Sequence, residues 1–324
     1  MSRGTRNEFV DALKFFAIAL VPAQHLLSLR SEFMNLPGAQ WTVAFMLSFD
    51  MPLFTFLSGY VLFGREGSSP MQFMRRKVFG LLVPYLAWVA VVMPLRHVPP
   101  SGWLSRLGQA LVNPHAGYQM WYLWVLFVVF GIFTLARLVS TSDVWLGALG
   151  IGVGALLFLP PTTAFGADKL LWLFPFFVLG YLCGGHRESL RRHYAWLAGA
   201  GVLAFAALTA LQSGGVLPHF ATGVGGIATV WALYRLLPSR AISAQAWAGR
   251  KTLGIYGGQM MVLSFVIVGS GWLGMVASEV TVVVSATLLA WLLSAWVVTR
   301  AAFLGQWPKP DRSAPESGAA ARPA

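Results

Sequence analysis

The chain has 324 residues, of which 57% are hydrophobic and only 10% charged, with a mean hydropathy of +0.66. A soluble domain carries roughly a quarter charged residues, so this composition excludes one and predicts an all-α, polytopic membrane helix bundle. The net charge of +12 does not point to nucleic acid, because most basic residues sit in short loops between apolar runs, as membrane topology dictates.

Ten apolar segments follow one another, at residues 9–28, 42–63, 78–95, 119–139, 144–160, 168–184, 194–212, 217–237, 252–272 and 280–304. About ten crossings with short loops fit this length. With the N-terminus inside, 19 of the 23 Lys and Arg residues fall on the cytoplasmic side, and only Arg30, Arg96, Arg106 and Lys169 fall outside. The positive-inside rule selects this orientation, with both termini cytoplasmic in a bacterial-type inner membrane. Residues 1–305 read as one transmembrane domain, and 306–324 as a Pro/Ala/Ser-rich disordered tail. The first run is too long, and too charged within, for a cleavable signal peptide.

The first segment, RNEFVDALKFFAIALVPAQHLLSLR, carries Asp11, Lys14 and His25 within a run long enough to span. A helix turns 100° per residue, so the eleven steps from Lys14 to His25 make about 1100°, three turns plus about 20°, over about 16 Å. The two side chains share a stripe, and Asp11 falls near it. Ionisable groups in a span usually face a bundle interior or an aqueous cavity. The plainer reading has Lys14 snorkelling to the interface and His25 bonded to a neighbouring helix.

In the second segment Asp50 lies at a depth comparable with His25 and is a candidate to orient the imidazole, or else a cap or kink beside Pro52. Ser58-Gly59 reads as a close helix contact. The run Arg75-Arg76-Lys77 is either plain topology or, with Lys14, a ring of cations suited to phosphate oxygens. The outer loop 96–118 is long enough to cover a site's mouth. Trp121, Tyr122 and Trp124 begin a span as an aromatic belt, and the first two are candidates to stack on a sugar. The lone Cys183 offers neither a disulfide framework nor a thiolate metal site. No metal is expected.

Six stretches in order resemble the acyltransferase-3 family of integral membrane O-acyltransferases: VDALKFFAIALVPAQH, FDMPLFTFLSGYVLFGR (49–65), FMRRKVFGLLVPYLAW (73–88), MWYLWVLFVVF (120–130), LWLFPFFVLGYLCG (171–184) and GRKTLGIYGGQMM (249–261). The first carries Lys14 and His25 at the spacing of the family's Arg- or Lys-x10-His signature. Two positions depart from the pattern. Gln259 stands where the family has a late histidine, and Gly80 where it has a second arginine. The resemblance implies acyl transfer, acetyl being the commonest group, from a cytoplasmic acyl-CoA to a hydroxyl of a sugar, an envelope glycan or a related small molecule. The implied roles are His25 as general base, with Asp50 beside it and Gln24 or Gln259 as oxyanion donor. Lys14, Arg75, Arg76 and Lys77 would hold the donor, and Asp11, Gln24, Trp121 and Tyr122 would line the acceptor's place. Two rival readings remain. One is a transporter that uses the Asp11/Lys14/His25 stripe as a polar pathway; the other is a catalytically inactive relative serving as a membrane partner.

Overall fold

The computed structural model describes residues 7–64, 69–159, 164–192, 194–210 and 216–307. Arg3, Arg6, Arg65, His193, Lys309, Arg312, Arg322 and the tail beyond 307 lie outside the described residues. Sixteen α-helices and no strands occur among them: α1 Glu8–Leu29, α2 Ser31–Met34, α3 Ala39–Tyr60, α4 Pro70–Lys77, α5 Val83–Leu95, α6 Trp103–Val112, α7 Trp121–Val139, α8 Asp143–Ala155, α9 Ala167–Gly185, α10 Arg187–Arg192, α11 Tyr194–Ala210, α12 Val216–Leu236, α13 Ser239–Gly249, α14 Thr252–Leu263, α15 Gly271–Leu293 and α16 Val297–Leu304. A π-turn, Val78–Leu82, joins α4 to α5 into one 26-residue helix. The protein is an all-helical membrane bundle.

Seven helices among the described residues are long and apolar enough to cross a membrane, against the ten segments expected. The other three are helical but shorter: Asp143–Phe158, α11 and the 12-residue α14. The largest departure lies near the C-terminus. The apolar run VIVGSGWLG reads as continuous, yet Gly269 and Gly271 both adopt left-handed φ values, 71° and 67°, which glycine alone takes up without a Cβ penalty. They end the ninth segment early, and the next helix starts at Gly271 rather than near 280. A second break at Ser294–Trp296 detaches α16.

Small residues set the packing. Gly59 of α3 and Gly180 of α9 face each other's partners so closely that a Cβ on either would overlap the carbonyl of Phe177 or Phe56, so these two backbones touch. Without a hydrophobic force between helices in lipid, such contacts supply the association. α1 is wrapped by α3, α13, α14 and α15 and is the bundle's centre. Its Leu13, Ala17, Ile18, Val21 and Leu26 are buried. Gly249, the last residue of α13, abuts the Asp11 carbonyl and has no room for a side chain.

Four basic residues gather at one end of the bundle, on aromatic rings. Arg235 lies over Phe9 (4.6 Å), Arg187 over Tyr60 (4.5 Å), Arg137 over Tyr181 (5.4 Å) and Lys77 over Phe130 (3.5 Å). The rings connect further, through Phe9–Trp231 and Tyr60–Trp231 contacts at 5.0 and 5.1 Å. A cation over a ring face gains electrostatic attraction without a carboxylate. With 11 acidic residues against 23 basic ones, rings add partners for cations that outnumber the carboxylates.

Candidate functional site

α1 begins on Asn7, whose side chain accepts from the Val10 N–H at 3.4 Å, and carries Glu8 and Asp11 in its first turn, where acids complement the helix dipole. Ser243 of α13 donates to Glu8 at 2.7 Å. One turn on, Lys14 Nζ lies 3.7 Å from Asp11 Oδ1, an i,i+3 pair with the carboxylate almost wholly buried and the amine a quarter exposed. The expected proximity of Asp11 and Lys14 is therefore present as an ion pair.

His25 lies three turns farther along α1, partly enclosed, and its imidazole makes no hydrogen bond among the described residues. Beside it Gln24 is buried, with Oε1 unpartnered. Asp50 is fully buried on α3; its Oδ1 accepts from the Met51 N–H at 2.5 Å and its Oδ2 has no partner. A hydrogen bond from the His25 ring to the Asp50 carboxylate, suggested by their depths, is not formed. Depth alone does not fix azimuth, and the Asp50 carboxyl folds back on its own backbone instead.

Gln259 is wholly enclosed on α14, with neither amide atom partnered among the described residues. Two glycines bring it there. A Cβ on Gly257 would overlap the Trp88 ring, and one on Gly258 would press on Leu289 and Ala286, so α14 slots between α5 and α15. One turn before Gln259, Tyr256 donates to the Gln119 carbonyl and packs edge-on to Tyr122 at 6.2 Å. The Tyr122 hydroxyl meets Thr55 Oγ1 at 3.3 Å. Thr55, Tyr122 and Tyr256 thereby tie α3, α7 and α14 into one polar interior.

The structure separates the two aromatic candidates. Tyr122 points inward to Thr55, whereas Trp121 is at the rim, under Lys169 Nζ at 5.6 Å. Lys169 pairs with Asp168 at 3.4 Å, and Asp168 also meets His115 at 3.3 Å. The basic run is split as well. Arg75 and Arg76 are exposed, while Lys77 turns in over Phe130 and Phe73. Lys14 lies on α1 and the run on α4, whose continuation α5 packs, like α1, against α14.

Several groups escaped sequence reasoning. Glu279 is largely enclosed on α15 with Oε2 unpartnered. A last span beginning near 280 puts it in a loop, whereas the helix from Gly271 places it two turns inside. Tyr118 occupies φ 57°, ψ −142°, a region that costs a non-glycine residue about 1–3 kcal/mol. Its hydroxyl and the Gln119 side-chain oxygen are buried and unpartnered. Preceding Gly117 packs on the Tyr85 ring with no space for a Cβ, which fixes this turn. Nothing in the local sequence marks it beyond that glycine.

Among the described residues no three His, Cys, Asp or Glu side chains converge on a point. Four polar groups on α1 and the helices packed against it, Gln24, Asp50, Gln259 and Glu279, carry buried hydrogen-bonding atoms unmatched among the described residues, a set suited to binding and proton transfer. No curated protein and no solved structure matches the chain. A family model described as an acyltransferase domain matches residues 7–298, nearly the whole described bundle, and it includes the Lys14-x10-His25 stripe, Asp50 and Gln259. The chain belongs to the acyltransferase-3 family and is a membrane acyltransferase.

Proposed function

We propose that this acyltransferase moves an acyl group, acetyl in the first instance, from acyl-CoA at the cytoplasmic face to a hydroxyl of a sugar, an envelope glycan or a related small molecule. The bilayer is the inner membrane of a bacterial-type cell, with Lys14 and Arg75–Lys77 toward the cytoplasm. The observation that carries this reading is the α1 stripe. It bears a cation paired near one end and, about 16 Å farther along, an enclosed imidazole without a protein partner.

In the reaction the anionic donor is held by Arg75 and Arg76, with Lys77 and Lys14 adding positive potential. Its thioester reaches up along α1. His25 takes the proton of the acceptor hydroxyl as that oxygen attacks the thioester carbonyl. The Gln259 or Gln24 amide N–H stabilises the tetrahedral oxyanion. The intermediate collapses by breaking the C–S bond, and the departing thiolate recovers the proton from the imidazolium. The ester and free coenzyme A leave. Asp50 and the Tyr122–Tyr256 pair line the acceptor side, with Asp11 holding Lys14 in place.

The test is His25→Ala in cells, with mass spectrometry of envelope glycans and small metabolites. Acylated species present with the parent chain are expected to disappear while the variant still inserts. Undiminished acylation in the variant would end the proposal.

A further inference from the structure

The π-turn at 78–82 leaves one carbonyl without a donor from its own helix. Val83 N–H bonds the carbonyl of Val78, five residues back. In that register the Phe79 carbonyl looks to residue 84, which is Pro84 and has no N–H. The Phe79 carbonyl is met from 228 residues away, by the indole Nε1–H of Trp307 at 3.2 Å. The Trp307 ring also packs edge-on to the Phe79 ring, with centroids 4.8 Å apart. The Arg75 guanidinium lies 5.9 Å from the centre of that same Phe79 ring. Trp307, Phe79 and Arg75 are thus one contiguous stack.

The chain is brought there by two further contacts. Trp88 donates to the Phe303 carbonyl at 3.2 Å. Gly305, at φ 60°, then lays the backbone against Gly80 so closely that a Cβ on it would come within 2.7 Å of the Gly80 carbonyl oxygen. The acyltransferase family match stops at residue 298. The strap from Phe303 to Trp307 is therefore made by a segment beyond the matched domain, against the turn that carries the basic run.

We propose that Trp307 is a positioning residue for the acyl donor. It supplies the hydrogen bond that Pro84 withholds and braces the ring on which Arg75 rests, so that the guanidinium is held outward for a phosphate of coenzyme A. This rests on the reading of Arg75 and Arg76 as donor-binding residues. π-turns within α-helices are recurrent at functional sites, and this one is pinned from outside rather than by its own helix.

The experiment uses the full chain in lipid nanodiscs, with coenzyme A as the probe and its Kd and the melting temperature as readouts. Trp307→Phe keeps a ring and loses the N–H. It is expected to weaken coenzyme A binding about three- to tenfold, the worth of one net hydrogen bond. Arg75→Ala is expected to weaken it as well, and the double variant to weaken it by less than the product of the two. In a Pro84→Ala background, where residue 84 can donate to Phe79, Trp307→Phe is expected to lose most of its effect. A lower melting temperature with an unchanged Kd would make Trp307 merely structural and overturn the proposal. If coenzyme A binds the parent chain and Arg75→Ala weakens it but Trp307→Phe does not, the positioning role falls and the donor reading stands. If Arg75→Ala and Arg76→Ala both leave binding unchanged, the donor reading falls, and the role of Trp307 with it.

Discussion

The interior around α1 and the basic end of the bundle both hold polar groups in an apolar setting, but they hold them differently. At the basic end Arg137, Arg187, Arg235 and Lys77 each lie over an aromatic ring. In the interior, Gln24, Asp50 and Gln259 carry buried atoms with no partner among the described residues. A buried polar atom left unmatched costs about 1–3 kcal/mol, whereas a cation over a ring gains about 0.5–2 kcal/mol. The first arrangement detracts from stability and the second adds to it. Under the proposed function, the unmatched interior groups are kept against their own contribution to folding for the chemistry, and the ring-braced cations serve both packing and donor binding.

This contrast can be broken by substitution. Gln259→Leu removes two unmatched atoms at similar volume. It is expected to lower acyl transfer about 10²–10³-fold, the usual loss for an oxyanion donor, with the melting temperature unchanged or raised. A drop in melting temperature with full activity would assign Gln259 to the scaffold instead. Lys77→Met is the counterpart at the rim. Losing its place over Phe130 and Phe73 is expected to cost about 1–2 kcal/mol in chemical denaturation, and losing its charge to weaken coenzyme A binding severalfold, with the rate at saturating donor little altered. Tyr118→Phe deletes an unmatched hydroxyl, so urea or thermal unfolding should show no loss of stability. A loss above about 1 kcal/mol would reveal a hidden partner. The remaining effect is a gain. A Cβ on Gly80 meets open space, so Gly80→Arg is expected to fold normally and to tighten coenzyme A binding severalfold by restoring the arginine the family pattern has there.

Much of this arrangement is legible in the amino-acid sequence, for reasons that differ by residue. The α1 stripe is legible because helical periodicity needs only local spacing, and Lys14 does pair with Asp11. The basic run is legible as charge, but its division is not. That Lys77 turns inward depends on Phe130, from another helix. Glu279 was hidden by Gly269 and Gly271, since small residues inside an apolar run read as packing positions unless their backbone angles are known. Tyr256 sits inside a motif that resemblance had marked, yet its bond to the Gln119 carbonyl joins residues 137 apart. The hydrogen bond from Trp307 to Phe79 spans farther still, and no spacing rule reaches it.

The backbone-to-backbone seam of α3 and α9 has a mechanical consequence. With Gly59 and Gly180 leaving no side chain between them, neither helix can tilt without carrying the other. The pair is a keel, and Asp50 rides on it. Under the proposed function, a bulky acceptor would need room against that keel, on the side of short α14 and the Gly269–Gly271 bend beyond it. Stiffening that bend would slow turnover of large acceptors before it touched small ones.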